Sequence, residues 1–231
     1  MPGVDRAAVS RFAHGELPFF NPLSEDAVDE AIGLLDLRPG ARVLDVACGN
    51  AEVLRRIAAR WEVEGIGYDT DSELIEQGRR LAPGLELLVS DEPAPGPFDL
   101  AVCIASSHAL GGFPAALPRL RELGGHVLLG EGYWRSRPSP EYLEALGGAT
   151  EDELPGYGGL IEAAERAGLR ALWSCVASEQ DWDRYEWTQV LNAERHGGDP
   201  LQERAAAARR RLTMPGGRDT LGFALVLLRA V

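Results

Sequence analysis

Lysine is absent from the 231 residues, so all 23 basic side chains are arginines. That absence excludes Schiff-base chemistry and any lysine general base. Basic charge is scarce altogether: 36 acidic residues leave a formal net charge of -13. A surface of that sign cannot neutralise the phosphates of DNA or RNA, so nucleic acid is not an expected partner. Cysteine is sparse too. Cys48, Cys103 and Cys175 share no Cys-x-x-Cys spacing, so neither a disulfide framework nor a zinc ribbon is supported, and no metal site is assigned. There is no apolar run of the roughly eighteen residues that a membrane helix needs, and the polar residues 1–11 lead into no apolar segment. The expectation is no membrane contact and a cytoplasmic location.

What is present is apolar patterning. With 45% hydrophobic residues the chain can bury the core of a single domain spanning residues 1–231. Short apolar runs at residues 42–47, 63–68, 85–90, 98–104 and 126–130 alternate with segments of helical spacing such as 52–60 and 71–81. That rhythm belongs to β-α-β units, and apolar residues on both faces of the runs predict buried parallel strands. Two further strands are expected over residues 170–177 and 222–230, the last returning antiparallel. The fold class is therefore α/β, a mostly parallel sheet with helices on both faces.

Three segments stand outside the alternation. Residues 1–41 hold a stretch, 14–22, that reads either as a polar tail or as a lid, with Phe19 and Phe20 favouring packing over something. Ser24-Glu25-Asp26 then opens a helix as N-cap and acidic first turn. Residues 133–168 and 178–215 are helical insertions, the second broken at Gly197-Gly198-Asp199-Pro200. Trp182, Tyr185 and Trp187 fall within six positions, too close for one amphipathic face to hide all three. With Tyr133, Trp134 and His14 they form either core or the wall of an apolar acceptor pocket. The run Arg209-Arg210-Arg211 reads as a solvated helix end.

The first strand enters a small-residue turn, Ala47-Cys48-Gly49-Asn50-Ala51. Such a turn before a helix presents backbone N–H groups and a positive helix end to an anionic or zwitterionic ligand. About twenty residues on, the second strand ends in Asp69, where a carboxylate can accept both hydroxyls of a ribose; the competing role, helix N-cap, has Asp71 and Ser72 as rivals. The third strand ends in Ser90-Asp91-Glu92 and the fourth in Cys103-Ile104-Ala105-Ser106. Ligands of open α/β sheets bind along this carboxyl edge, which makes Thr70, Ser90, Asp91, Glu92, Ile104 and Ala105 candidate cofactor contacts, with Asn21 reaching over from the N-terminal segment.

Taken together, Val43-Leu44-Asp45-Val46-Ala47-Cys48-Gly49-Asn50-Ala51, Gly67-Tyr68-Asp69-Thr70-Asp71, Val89-Ser90-Asp91 and Phe98-Asp99-Leu100-Ala101-Val102-Cys103 resemble the successive motifs of Rossmann-like S-adenosylmethionine-dependent methyltransferases, in order over residues 40–132. The resemblance implies a seven-stranded sheet with an antiparallel last strand and S-adenosyl-L-methionine as cofactor. It further implies that Asp69 binds the ribose, Asp91 the adenine amino group, and Ala47 and Gly49 the methionine portion, with Asp45 beneath the turn. Ala47 and Ala51 stand where the family usually has glycine.

Methyl transfer from a sulfonium is an in-line displacement. It requires alignment and exclusion of water, and a base only when the acceptor must lose a proton. His108, after the fourth strand, and Glu131, after the fifth, are the candidates; His108 reads equally as a capping or carbonyl-bonded side chain. The expected function is methylation of a small-molecule acceptor by a monomer or homodimer. The rivals are an NAD(P)-dependent oxidoreductase and a protein that binds the cofactor without turnover. A dinucleotide turn, however, wants a small residue at position 52, which is Glu52.

Overall fold

The computed structural model describes residues 10–11, 13–15, 17–195, 207, 210 and 217–231. The break at residues 197–200, most of the helix expected after it, and Arg209 and Arg211 lie outside the described residues.

Seven strands make one sheet: β1 Ala41–Val46, β2 Val63–Asp69, β3 Glu86–Val89, β4 Phe98–Ile104, β5 Gly124–Trp134, β6 Leu169–Val176 and β7 Leu221–Ala230. Their spatial order is β3-β2-β1-β4-β5-β7-β6. β1 pairs in parallel with β2 on one side, Ala41 opposite Val63, and with β4 on the other, Val43 opposite Leu100. β7 runs antiparallel between β5 and β6. Chain order reverses between β1 and β4, and a crevice opens beyond the carboxyl ends of strands at such a point.

The helices are α1 Glu25–Gly33, α2 Glu52–Arg60, α3 Ser72–Leu81, α4 Phe113–Leu123, α5 Pro140–Ala145, α6 Tyr157–Arg166 and α7 Glu179–Arg195. Strand alternation divides the core in two. Val43, Leu100, Leu128, Leu225 and Leu227 face Val28 and Ile32 of α1, Leu54 and Ile57 of α2, Ile75 of α3 and Trp182 of α7. Leu44, Ala101, Val127, Leu129 and Val226 face Leu117 and Leu120 of α4 and Leu160 of α6. Local chemistry sets the helix starts. The Ser24 hydroxyl accepts from the Ala27 amide at 3.2 Å, and the Asp71 carboxylate accepts from the amides of Glu73 and Leu74. Asp71 is thus the N-cap of α3, which leaves Asp69 to other work.

β5 runs four residues past the expected stop at Gly130. Glycine there marks close packing, not a turn: a Cβ on Gly130 would lie 2.6 Å from Ile104 Cγ2, and β7 stays paired as far as Trp134 opposite Leu221. Glu131, Tyr133 and Trp134 therefore belong to the strand and do not follow it.

Gly78 governs a second close approach. A Cβ on it would lie 2.8 Å from the Asn50 carbonyl oxygen and 2.8 Å from Leu87 Cδ1, so α3 rests directly on the turn after β1. Gly78→Ala is expected to cost about 1–3 kcal/mol, read as a fall in thermal midpoint of roughly 2–4 °C per kcal/mol for a chain of this size. An unchanged midpoint would show that the helix can retreat from the turn freely.

Candidate active site

The turn between β1 and α2 is built on alternate residues of left-handed backbone. Ala47, Gly49 and Ala51 have φ of 48°, 56° and 60°. In this region alanine carries a strain of roughly 1–2 kcal/mol that glycine avoids. The departure from glycine at 47 and 51 therefore leaves the turn's conformation intact at an energetic cost. Ala51 cannot cap α2 with its side chain; the Asn50 side-chain oxygen accepts from the Glu52 amide at 3.3 Å instead, and the positive end of the helix faces the crevice.

Asp69 ties two loops together. One carboxylate oxygen accepts from the Gly49 amide at 2.8 Å, the other from the Asp71 amide at 2.8 Å. Asp45 lies below and is buried. Burial first and then the charge of Asp69 push its carboxyl up to about 8, against the lowering effect of the Leu54 amide. Cys48 forms part of the same floor, and its thiol is pushed well up by burial, then by Asp45 and Asp69. It stays a thiol and is no nucleophile at neutral pH.

These groups line a cleft of about 440 Å³ that also takes in Asn21, Ala47, Thr70, Ser90, Asp91, Ile104, Ala105, His14 and His108. Glu92 lies outside it; its amide is bound by the Ser90 hydroxyl at 3.1 Å. Four carboxylates (Asp45, Glu52, Asp69 and Asp91) and no arginine border the cleft among the described residues. Glu52 is neutralised by Arg55 at 2.6 Å and Arg56 at 2.7 Å. With Asp45 raised and Glu52 paired, Asp69 and Asp91 remain to repel a pyrophosphate and to favour a sulfonium and an ammonium.

A second, smaller chamber of about 190 Å³ adjoins the first and shares Phe20, Asn21 and Ala105 with it. Trp182, Tyr185, Tyr142, Leu221 and Phe223 give it apolar walls, and Asp183, Glu186 and Arg218 stand at its rim. Arg218 reaches Glu179 at 3.3 Å and Asp183 at 3.0 Å. Trp187 is exposed and borders neither cavity.

The structure separates several candidate residues. Tyr133 and Trp134 border neither cavity. Tyr133 is buried, edge-on to Tyr157 at 5.5 Å on the α4 and α6 face, and the Trp134 indole donates to the Glu151 carbonyl at 2.8 Å. The continued pairing with β7 puts Tyr133 on the face opposite Phe223, while Trp134 pairs with Leu221 and packs edge-on to Tyr142 at 6.5 Å, behind the chamber wall. Glu131 also borders neither cavity. It projects to the same face as Leu129, opposite Phe223 and the chamber, as strand alternation requires. One of its oxygens accepts from the Gly132 amide at 2.9 Å, and the other has no hydrogen-bond partner among the described residues. Burial raises its carboxyl pKa, opposed by Ser107, the Gly132 amide and His108. His108 is exposed at the cleft edge.

Phe223, Tyr142 and Arg218 carry no signal of this role in the sequence. They come from β7, α5 and a short helical turn before β7, and no local motif links them.

Residues 43–123 match the family described as "Methyltransferase domain". The chain is 28% identical over 207 residues to YjhP of Escherichia coli K12, covering 83% of each. The crystal structure of that YjhP superposes with a TM-score of 0.85 at 25% identity, over 96% of this chain and 99% of the other. A structure of an S-adenosylmethionine-dependent methyltransferase from Thiobacillus denitrificans with S-adenosyl-L-homocysteine superposes at 0.83 with 24% identity, over 99% of both chains. A corresponding complex from Geobacter sulfurreducens gives 0.84 at 22% identity, over 97% of this chain and 98% of that one. Residues 43–123 thus resemble a methyltransferase domain, and the chain shares the fold of these structures. Among the described residues no helix is long and apolar enough to cross a membrane.

Proposed function

We propose that the protein binds S-adenosylmethionine in the larger cleft and transfers its methyl group to a small, apolar or partly aromatic acceptor in the adjoining chamber. The observation that carries this reading is the pairing of cavities. An acidic cleft at the strand ends shares Phe20, Asn21 and Ala105 with a chamber walled by aromatic rings. In-line displacement needs its two reactants in contiguous sites that exclude water.

The cleft suits the cofactor group by group. Asp69 would take the ribose hydroxyls and Asp91 the adenine amino group. The turn at Ala47 and Gly49 would receive the methionine portion, and the acidic surround its cations. The methyl donor supplies the sulfonium leaving group when bound. The chain's own residues hold it, cover it from the N-terminal segment, and align the acceptor. Both Thiobacillus denitrificans and Geobacter sulfurreducens relatives were crystallised with S-adenosyl-L-homocysteine, which supports the same ligand here.

Calorimetry with S-adenosylmethionine and S-adenosylhomocysteine tests the first half. Saturable binding of both is expected, and no heat at millimolar ligand would overturn the reading. Transfer of labelled methyl to a panel of small phenols, amines and carboxylates separates an enzyme from a binding protein.

A further inference from the structure

The polar groups where cleft meets chamber form a chain from the N-terminal segment into α7. His14 is buried and stacks on Phe20, ring centroids 4.1 Å apart and planes within 10°. Its Nδ1 lies 2.7 Å from the Ser10 carbonyl oxygen. A carbonyl only accepts, so Nδ1 carries a proton. Nε2 lies 2.9 Å from the Tyr185 hydroxyl, and that hydroxyl lies 3.2 Å from the Phe20 carbonyl oxygen.

One phenolic proton thus faces two acceptors. When the imidazole is neutral, Tyr185 donates to Nε2. When Nε2 is protonated, the imidazolium donates to the phenolic oxygen and the Tyr185 proton turns to Phe20. Both states satisfy these contacts without moving a heavy atom. In the second state the cation rests on the face of the Phe20 ring, where the ring quadrupole attracts it.

We propose that Tyr185 and His14 form a proton relay that deprotonates a phenol or alcohol acceptor, so that the substrate class of the chamber is an uncharged hydroxyl compound. The proposal rests on the methyltransferase reading above. Tyr185 borders the chamber, His14 borders the cleft and Phe20 borders both, so the relay stands at the junction where methyl group and acceptor meet. Glu131 projects to the other face of the sheet, and His108 does not reach the chamber. The one described arginine at the chamber rim is already engaged by Glu179 and Asp183, which leaves little attraction for an anionic acceptor.

The step balances on these groups. A lone pair of the acceptor oxygen forms the bond to the methyl carbon, and the carbon–sulfur bond breaks with its pair going to sulfur. The acceptor's proton passes to the Tyr185 oxygen while the Tyr185 proton passes to Nε2. The positive charge lost from the sulfonium appears on His14.

The test uses para-nitrophenol, whose yellow anion reports ionisation directly, added to protein saturated with S-adenosylhomocysteine. Bound to the wild type it is expected to ionise more readily than in solution, by about a tenfold change in equilibrium. That change is expected to vanish in Tyr185→Phe, with S-adenosylhomocysteine affinity kept within about threefold, or roughly 0.7 kcal/mol, and in His14→Gln measured at saturating S-adenosylhomocysteine. Failure of S-adenosylhomocysteine to bind the wild type would remove the methyltransferase reading itself. If it binds, the relay is wrong in any of three cases: para-nitrophenol does not bind, its ionisation is unchanged, or both variants shift it as the wild type does. The cofactor assignment survives all three.

Discussion

Asp69→Ala is expected to weaken S-adenosylhomocysteine binding by about a hundredfold or more. The carboxylate would accept two ribose hydroxyls, and a hydrogen bond to a charged group contributes about 1.5–3 kcal/mol, so the loss of two corresponds to two or more powers of ten. The same side chain has a structural duty, since its oxygens hold the amides of Gly49 and Asp71 at 2.8 Å each. Alanine therefore also loosens the turn, and the comparison with Asp69→Asn separates the two effects. Asparagine keeps an acceptor oxygen for one amide but loses the charge and the second acceptor. Calorimetry should give Asn an intermediate affinity, and circular dichroism should show both variants folded. Wild-type affinity in Asp69→Ala would refute the ribose assignment.

The position of Asp69 is legible in the sequence because it and the turn belong to one β-α-β unit in which strand, turn and next strand end follow one another along the chain. The five parallel strands are legible for the same reason: each is a short, mostly apolar run between helical patterns. Legibility fails where a residue's meaning depends on a distant partner. Gly130 looks like a strand end until Ile104 and β7 come against it, and with that extension Tyr133 and Glu131 fall on the face opposite the chamber while Trp134 packs behind Tyr142. His14 and Tyr185 meet across 171 positions of sequence, and Phe223, Tyr142 and Trp182 enclose one chamber from three elements. The aromatic cluster near Trp182 announces a cavity. Only the packing of α7 on the N-terminal segment determines which of its rings face it.

Asp45 carries the other large effect, and here stability and binding pull in opposite directions. Its carboxyl is raised from the ordinary 3.8 to about 8 by burial and by Asp69, so between those limits the folded protein holds a proton that the unfolded chain has released. Stability from this group is greatest below the unfolded value and is lost as pH rises through the folded one. Without ligand, the wild type should therefore lose thermal stability between about pH 5 and pH 8.5, by more than about 1.4 kcal/mol, the equivalent of a tenfold change in the ionisation equilibrium. Asp45→Asn keeps an oxygen for the Leu54 amide and has nothing to ionise. Its midpoint should vary less with pH and exceed that of the wild type at the alkaline end. Its affinity for S-adenosylmethionine should fall, because the cationic portion of the cofactor would no longer meet a carboxylate that it can hold ionised. Asp69→Ala should move the alkaline end of the stability loss to lower pH, since one of the two causes of the raised carboxyl is gone. If wild type and Asp45→Asn have the same pH dependence of melting, the enclosed carboxyl is already ionised in the folded protein, and some other contact offsets the cost of the acidic floor of the cleft.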